Sequence, residues 1–153
     1  MSLLDDIPEG SLVALDTMVW IYEFESHPVF GPIVHPFFRD RLDTAKNRAG
    51  SSLLTLGELL VQPLAVGRND IADQYRQLFT PGPVFSVWDI TRDVVEQAAA
   101  LRAKHRVKML DAVHVAAAIL NGATIFISNE EGLRRVTELK VLVLADYVPP
   151  PSP

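Results

Sequence analysis

Apolar residues recur along this chain in two rhythms. The first is a set of short, nearly continuous runs: Leu12-Val13-Ala14-Leu15, Leu53-Leu54, Val84-Phe85-Ser86-Val87-Trp88, Ile125-Phe126-Ile127 and Val141-Leu142-Val143-Leu144. Runs of this length between polar breaks predict strands buried on both faces. They place strands at residues 11–15, 52–55, 84–88, 124–128 and 141–144. The second rhythm repeats every three or four residues. It predicts helices over 17–24, about 33–47, a segment carrying Glu58 behind the second strand, 71–79, the stretch after Thr91 to about 104, 109–120 and 131–136.

Turn chemistry punctuates these elements. His27-Pro28 and Gly31-Pro32 mark a loop, Ala49-Gly50 reads as the end of the second helix, and Pro63 must kink or end the helix holding Glu58. Gly67 to Asp70 is a turn and Pro81-Gly82-Pro83 a firm break. Thr91 has the side chain of an N-cap, and Asn121-Gly122 forms a helix-ending pair. Continuously apolar strands alternating with helices indicate a parallel sheet covered on both faces. The expectation is a three-layer α/β/α domain with a central parallel sheet of about five strands. It spans residues 1–148, with 149–153 as a proline-rich extended tail.

Composition narrows this only in places. A chain of 153 residues, 48% hydrophobic and 22% charged, fits one domain with a real core and excludes wholesale disorder. The absence of cysteine excludes disulfides and thiolate metal sites and agrees with a reducing compartment. Met1 to Asp6 has no basic, then apolar, leader pattern, and Glu58, Asp111, His114 and Asn121 interrupt the later apolar stretches. A cytoplasmic protein without membrane spans is expected. The net charge of −5 argues against a broad basic face for nucleic acid but leaves room for local cations beside a metal-loaded pocket.

The candidate chemistry lies where a parallel sheet puts it, outside the carboxyl ends of the strands. Asp16 ends the first strand, Glu58 lies early in the helix after the second, Asp111 opens the 109–120 helix, and Glu130 follows the fourth strand. Clustered carboxylates repel one another unless cations neutralise them, and oxygen-only donors favour Mg²⁺ or Mn²⁺. Such ions can activate water and stabilise charge on a phosphodiester. Taken singly, each acid is equally an N-cap or a solvated loop residue; Asp111 could serve only the helix macrodipole. Glu58, between Leu56, Leu59 and Leu60, is harder to explain without a partner.

Four segments resemble, in order, the signature segments of PIN-domain ribonucleases: Leu15-Asp16-Thr17, Leu54-Thr55-Leu56-Gly57-Glu58-Leu59-Leu60, Leu110-Asp111-Ala112-Val113-His114-Val115-Ala116-Ala117-Ala118 and Phe126-Ile127-Ser128-Asn129-Glu130. The resemblance runs from about residue 11 to 146 and looks most like VapC-type toxins of toxin–antitoxin pairs. It implies that Asp16, Glu58 and Asp111 are catalytic metal-binding acids and that Thr17 supports them. It places Glu130 at the fourth acidic position, with Ser128 and Asn129 beside it. Glutamate there is one methylene longer than the family's aspartate, so Asn129 could share the role. His114, three residues after Asp111, is read as a packed or supporting residue that could also contact substrate.

By the same resemblance, the cofactor is one or two Mg²⁺ or Mn²⁺ ions. The partners are an RNA substrate and a cognate antitoxin, with a homodimer as the assembly. Arg102, Lys104, Arg106 and Lys108 are equally a solvated helix end or phosphate contacts beside the metal. The expected function is a metal-dependent endoribonuclease toxin that hydrolyses RNA with metal-activated water. Two alternatives remain: a non-catalytic PIN-like module that binds RNA or protein, and a haloacid-dehalogenase-like phosphatase with Asp16 as nucleophile. The phosphatase reading is weakened by Met18, which stands where a second aspartate is usual.

Overall fold

The computed structural model describes residues 1–153. Its frame is a five-stranded, all-parallel sheet in the order β3-β2-β1-β4-β5. The strands are β1 (Leu12–Leu15), β2 (Arg48–Ser52), β3 (Phe85–Trp88), β4 (Ile125–Ser128) and β5 (Lys140–Val143). Six α-helices complete it: α1 (Thr17–Phe24), α2 (Gly31–Phe37), α3 (Leu53–Ala65), α4 (Asn69–Leu78), α5 (Arg92–His105) and α6 (Met109–Leu120). Because side chains alternate along a strand, β1 and β4 feed two cores. Val13, Leu15, Ile125 and Ile127 pack with residues of α1 to α4, whereas Ala14 and Phe126 pack with α5 and α6. The three-layer α/β/α architecture read from the strand pattern is therefore the one that forms.

α6 packs closely because Ala112, Ala116, Ala117 and Ala118 are all fully buried and short. The two caps behave as their chemistry requires. Thr91 Oγ1 accepts the Val94 N–H at 3.2 Å to start α5, and Gly122 takes φ +86° after α6, where a Cβ would be strained.

Four expectations need correction. The second strand is Arg48–Ser52, not 52–55, and Leu53-Leu54 open α3 instead. Consequently Ala49-Gly50 does not end a helix; it lies inside β2. The helix expected over about 33–47 is shorter and irregular: α2 stops at Phe37 and passes into a π-helical turn, Phe38–Leu42. Third, of the two outcomes expected at Pro63, a kink or an end, the helix does not end there: α3 runs on to Ala65. Proline there removes a single bond near the helix end, where few remain to be made. The expected 131–136 helix is a 3₁₀ segment, Glu131–Arg135.

β2 went unrecognised because its sequence, Arg-Ala-Gly-Ser-Ser, has no apolar run. Its serines are buried but paired. Ser51 Oγ accepts the Trp20 Nε1–H at 3.0 Å and donates to the Leu15 carbonyl at 2.7 Å. No helix is long and apolar enough to cross a membrane.

Candidate active site

The strand order places β1 in the middle, with β2 and β3 laid down on one side and β4 and β5 on the other. A crevice opens at the carboxyl ends of neighbouring strands where the winding reverses. Here those strands are β1 and β4, and they end in Asp16 and in Ser128-Asn129-Glu130. Asp16 is 8% exposed and caps α1, its Oδ1 accepting the Thr17 N–H at 2.8 Å. Its Oδ2 accepts the Ser128 hydroxyl at 2.6 Å, and Ser128 Oγ accepts the Glu130 N–H at 3.0 Å. One serine thus ties the first acid to the loop that carries the fourth.

Glu58 arrives from the second turn of α3. Its Oε1 accepts the Thr17 hydroxyl at 2.8 Å and meets His114 Nε2 at 2.5 Å. His114 comes from α6, is 4% exposed, and has Nδ1 2.7 Å from Ser52 Oγ and 3.4 Å from Thr55 Oγ1. A carboxylate can only accept, so Nε2 is the donor. The Ser52 hydroxyl can donate or accept and so satisfies either protonation state of Nδ1. The His114 hydrogen bond, ahead of the Thr17 one, holds the Glu58 carboxyl below its ordinary range against the opposing effect of burial. Burial is the largest single influence on His114 and pulls its pKa down. The Glu58 hydrogen bond and the charges of Asp16, Glu58 and Asp111 together outweigh it and leave the pKa raised.

Asp111 lies in the first turn of α6 and is half-buried. Burial, and then the negative charges of Asp16 and Glu130, push its carboxyl up to about 6; His114 and Lys108 pull weakly the other way. Asn129 spends its side chain on structure, donating to Tyr22 Oη at 3.2 Å and accepting the Ala145 N–H at 3.1 Å. Glu130 is therefore the freer group at that corner. Glu131 and Asp146 are both drawn to Arg134 on the surface.

Asp16, Glu58, Asp111 and Glu130 all line one cleft of about 210 Å³, together with Thr17, Met18, Tyr22 and Asn129. A larger hollow of about 690 Å³, between the N-terminal segment and α2, has no carboxylate or histidine in its wall. No three acidic or histidine side chains stand close enough to grip one ion in this conformation. The protein's own donors hold two of the acids: Thr17 and His114 hold Glu58, and Ser128 and the Thr17 N–H hold Asp16. The donor set nevertheless fits a hard divalent cation, being all oxygen and carrying uncompensated charge that Asp111 registers.

Of the basic residues singled out from sequence, Arg102 donates to the Val107 carbonyl at 2.9 Å and Lys104 pairs with Glu138 at 3.0 Å. Arg106 and Lys108 are exposed at the turn that runs into Asp111. Sequence reasoning missed Ser52, Thr55 and Tyr22. The two hydroxyls were hidden by the misplaced second strand, and no local pattern marks a tyrosine that anchors Asn129.

The family model of the PIN domain matches residues 13–139. No protein of curated function matches the sequence significantly. Similar solved structures include a toxin–antitoxin complex from Klebsiella pneumoniae, with a TM-score of 0.64 and 20% identity over 86% of this chain and 97% of that one. A VapBC pair from Rickettsia felis, bound to a DNA fragment from its promoter, gives 0.68 at 16% identity over 86% and 98%. A sarcin–ricin-loop-cleaving VapC toxin from Mycobacterium tuberculosis gives 0.61 at 17% identity over 74% and 86%. At these identities the likeness is one of fold.

Proposed function

The chain belongs to the PIN-domain family, and from that premise we propose that it is a metal-dependent endoribonuclease, the toxin of a VapBC-type pair. The observation that carries this reading is the convergence of Asp16, Glu58, Asp111 and Glu130 on one cleft at the switch point of the sheet. Asp16, Glu58 and Asp111 would hold Mg²⁺ or Mn²⁺, with Glu130 at the fourth corner. A divalent ion there would supply Lewis-acid stabilisation of the phosphodiester and a water acidic enough to act as nucleophile.

The protein's own groups supply preorganisation. Ser128 and the Thr17 N–H fix the Asp16 carboxylate, while Thr17 and His114 fix Glu58 by Oε1 and leave Oε2 without a partner in the chain. Asp111, with a proton affinity raised toward neutrality, is the acid best suited to exchange a proton for a metal ion. A small antitoxin protein and a second copy of the chain complete the reading; the solved relatives that are toxin–antitoxin complexes support the first.

Purified protein is expected to cleave single-stranded RNA with Mn²⁺ or Mg²⁺ and to stop with EDTA. Asp16→Asn and Asp111→Asn are each expected to lower the rate by at least ~10²-fold. Cleavage that persists in both variants would sink the assignment. A second reading, a non-catalytic RNA- or protein-binding module, draws on the absence of any preformed three-ligand group. Calorimetric titration with Mn²⁺ separates the two, since the second requires no specific binding. The phosphatase reading has no observation in its favour: the residue two after Asp16 is Met18, in the cleft wall.

A further inference from the structure

Fourteen lysines and arginines occur in this chain. Eight of them lie within 4.0 Å of a carboxylate oxygen: Arg39, Lys46, Arg68, Arg76, Arg92, Lys104, Arg134 and Lys140. Of the six that do not, Arg41 is spent on the carbonyls of Leu4 and Ile7, and Arg48 begins β2. The other four, Arg102, Arg106, Lys108 and Arg135, all belong to the α5–α6 turn or reach it. In a molecule of net charge −5, uncompensated positive charge is concentrated on the stretch that leads into Asp111. Scattered surface cations would have no reason to collect there.

The turn is held in shape by hydrogen bonds to its main-chain carbonyls. Arg106 adopts a left-handed backbone (φ +59°), and its N–H donates to the Arg102 carbonyl at 2.8 Å. The Arg102 guanidinium donates to the Val107 carbonyl at 2.9 Å. From the other side, Arg135 Nη1 donates to the Arg106 carbonyl at 3.1 Å and more weakly to that of His105 at 3.4 Å. Arg135 follows Glu130 by five residues, so this contact bridges the two loops that flank the acidic cleft. Its Nε and Nη2 have no acceptor within the chain, and the side chains of Arg106 and Lys108 have none at all. Lys108, the N-cap residue of α6, is near enough to influence the Asp111 carboxyl.

We propose that Arg106, Lys108 and Arg135 form a short phosphate track that lays the backbone of single-stranded RNA against the cleft, a proposal that rests on the ribonuclease reading above. Two guanidiniums and one ammonium suit two or three consecutive phosphates, the arginines as forked donors and the lysine as a point charge. A duplex would need a broader basic face, which a chain of net charge −5 with one cationic turn lacks. Arg102 braces the turn from within α5 and Lys104 is neutralised by Glu138, so the track is assigned to neither.

The test is fluorescence anisotropy of a labelled single-stranded oligoribonucleotide in EDTA, where metal-dependent cleavage is off, across a series of KCl concentrations. The Asp16→Asn background serves as a second, less acidic version of the same cleft. Three phosphate contacts give a slope of log K against log salt of roughly −2. Arg106→Ala, Lys108→Ala and Arg135→Ala are each expected to weaken binding ~5-fold at low salt, equally for unrelated sequences, and to reduce the slope by roughly 0.7. Lys104→Ala and Arg48→Ala are expected to leave both unchanged. Melting curves for each variant separate lost contact from lost fold, and Arg135→Lys, which keeps the charge, is expected to restore most of the affinity.

Binding within twofold of wild type in all three folded variants would overturn the track. So would equal losses in Lys104→Ala, or no RNA binding by the wild type in either background. Salt-dependent binding through the three residues without cleavage in Mn²⁺ would instead leave the track standing and remove the nuclease reading.

Discussion

Burial and the charges of Asp16 and Glu130 push the Asp111 carboxyl up to about 6, so the metal-free chain sheds that proton only as the pH rises past this value. The folded pKa lies above the ordinary 3.8, and the stability it contributes is present at low pH and lost on the way from about 4 to 6. Half-exposure reduces the effect to ~1 kcal/mol after solvent screening. Metal-free protein is therefore expected to melt a few degrees lower at pH 7.5 than at pH 5 through this group. His114 adds in the same direction, its pKa being raised too. Asp111→Asn is expected to raise the metal-free melting temperature at pH 7.5 and to flatten part of the pH dependence, measured by calorimetry in EDTA. Protons also compete with the metal: Mn²⁺ affinity is expected to fall toward tenfold per pH unit below about 6.

His114 belongs to the same scale. Replacing it with alanine removes the donor to Glu58, leaves the Ser52 hydroxyl unpaired and opens a hole behind the cleft. A loss of about 2–4 kcal/mol in urea unfolding is expected, with weaker Mn²⁺ binding because Glu58 is no longer held. His114→Gln, which can still donate, is expected to recover part of the metal affinity.

Among the elements, β2 is the one whose strand identity depends most on its neighbours. Gly50 faces the Trp88 indole of β3, and a Cβ built there would overlap that ring. Gly50→Ala is expected to cost about 3 kcal/mol or more, since Trp88 is itself buried and cannot step aside. Gly57, on α3, makes the opposite case. A Cβ there meets nothing within 4 Å, so Gly57→Ala is expected to stabilise by ~0.5–1 kcal/mol through helix propensity. Paired urea titrations check both.

The contrast also says what was legible. α1 and α6 were readable to the residue, because an apolar stripe and an acid at or near the N-terminus act locally in both, and Asn121-Gly122 closes α6. β2 was not, because a strand of small and polar residues becomes one only when Trp20, Leu15 and His114 pair its serines and Trp88 fills the space above its glycine. That error propagated into the site by hiding Ser52 and Thr55.

At the scale of the molecule, a net charge of −5 coexists with a cationic turn beside an acidic cleft. A divalent ion bound in the cleft would relieve the repulsion of Asp111 by Asp16 and Glu130 while leaving the two cores untouched. Saturating Mn²⁺ at pH 7.5 is therefore expected to raise the melting temperature, and EDTA to reverse it, with no change in far-ultraviolet circular dichroism. The gain is expected to shrink at pH 5, where the Asp111 proton already does part of the same work.

The sequence by itself determined the alternation of strands and helices, hence the parallel sheet and the edge on which chemistry must lie. It also determined which four acids stand at that edge. Tertiary structure alone decided the rest: that Glu58 is gripped by His114 and Thr17, that Asn129 is consumed by Tyr22 and Ala145, and that Arg135 joins the turn before Asp111. The physical reason is range. Periodicity, caps and turns act within a few residues, whereas hydrogen bonds and charges link groups that only the folded chain brings within a few ångströms.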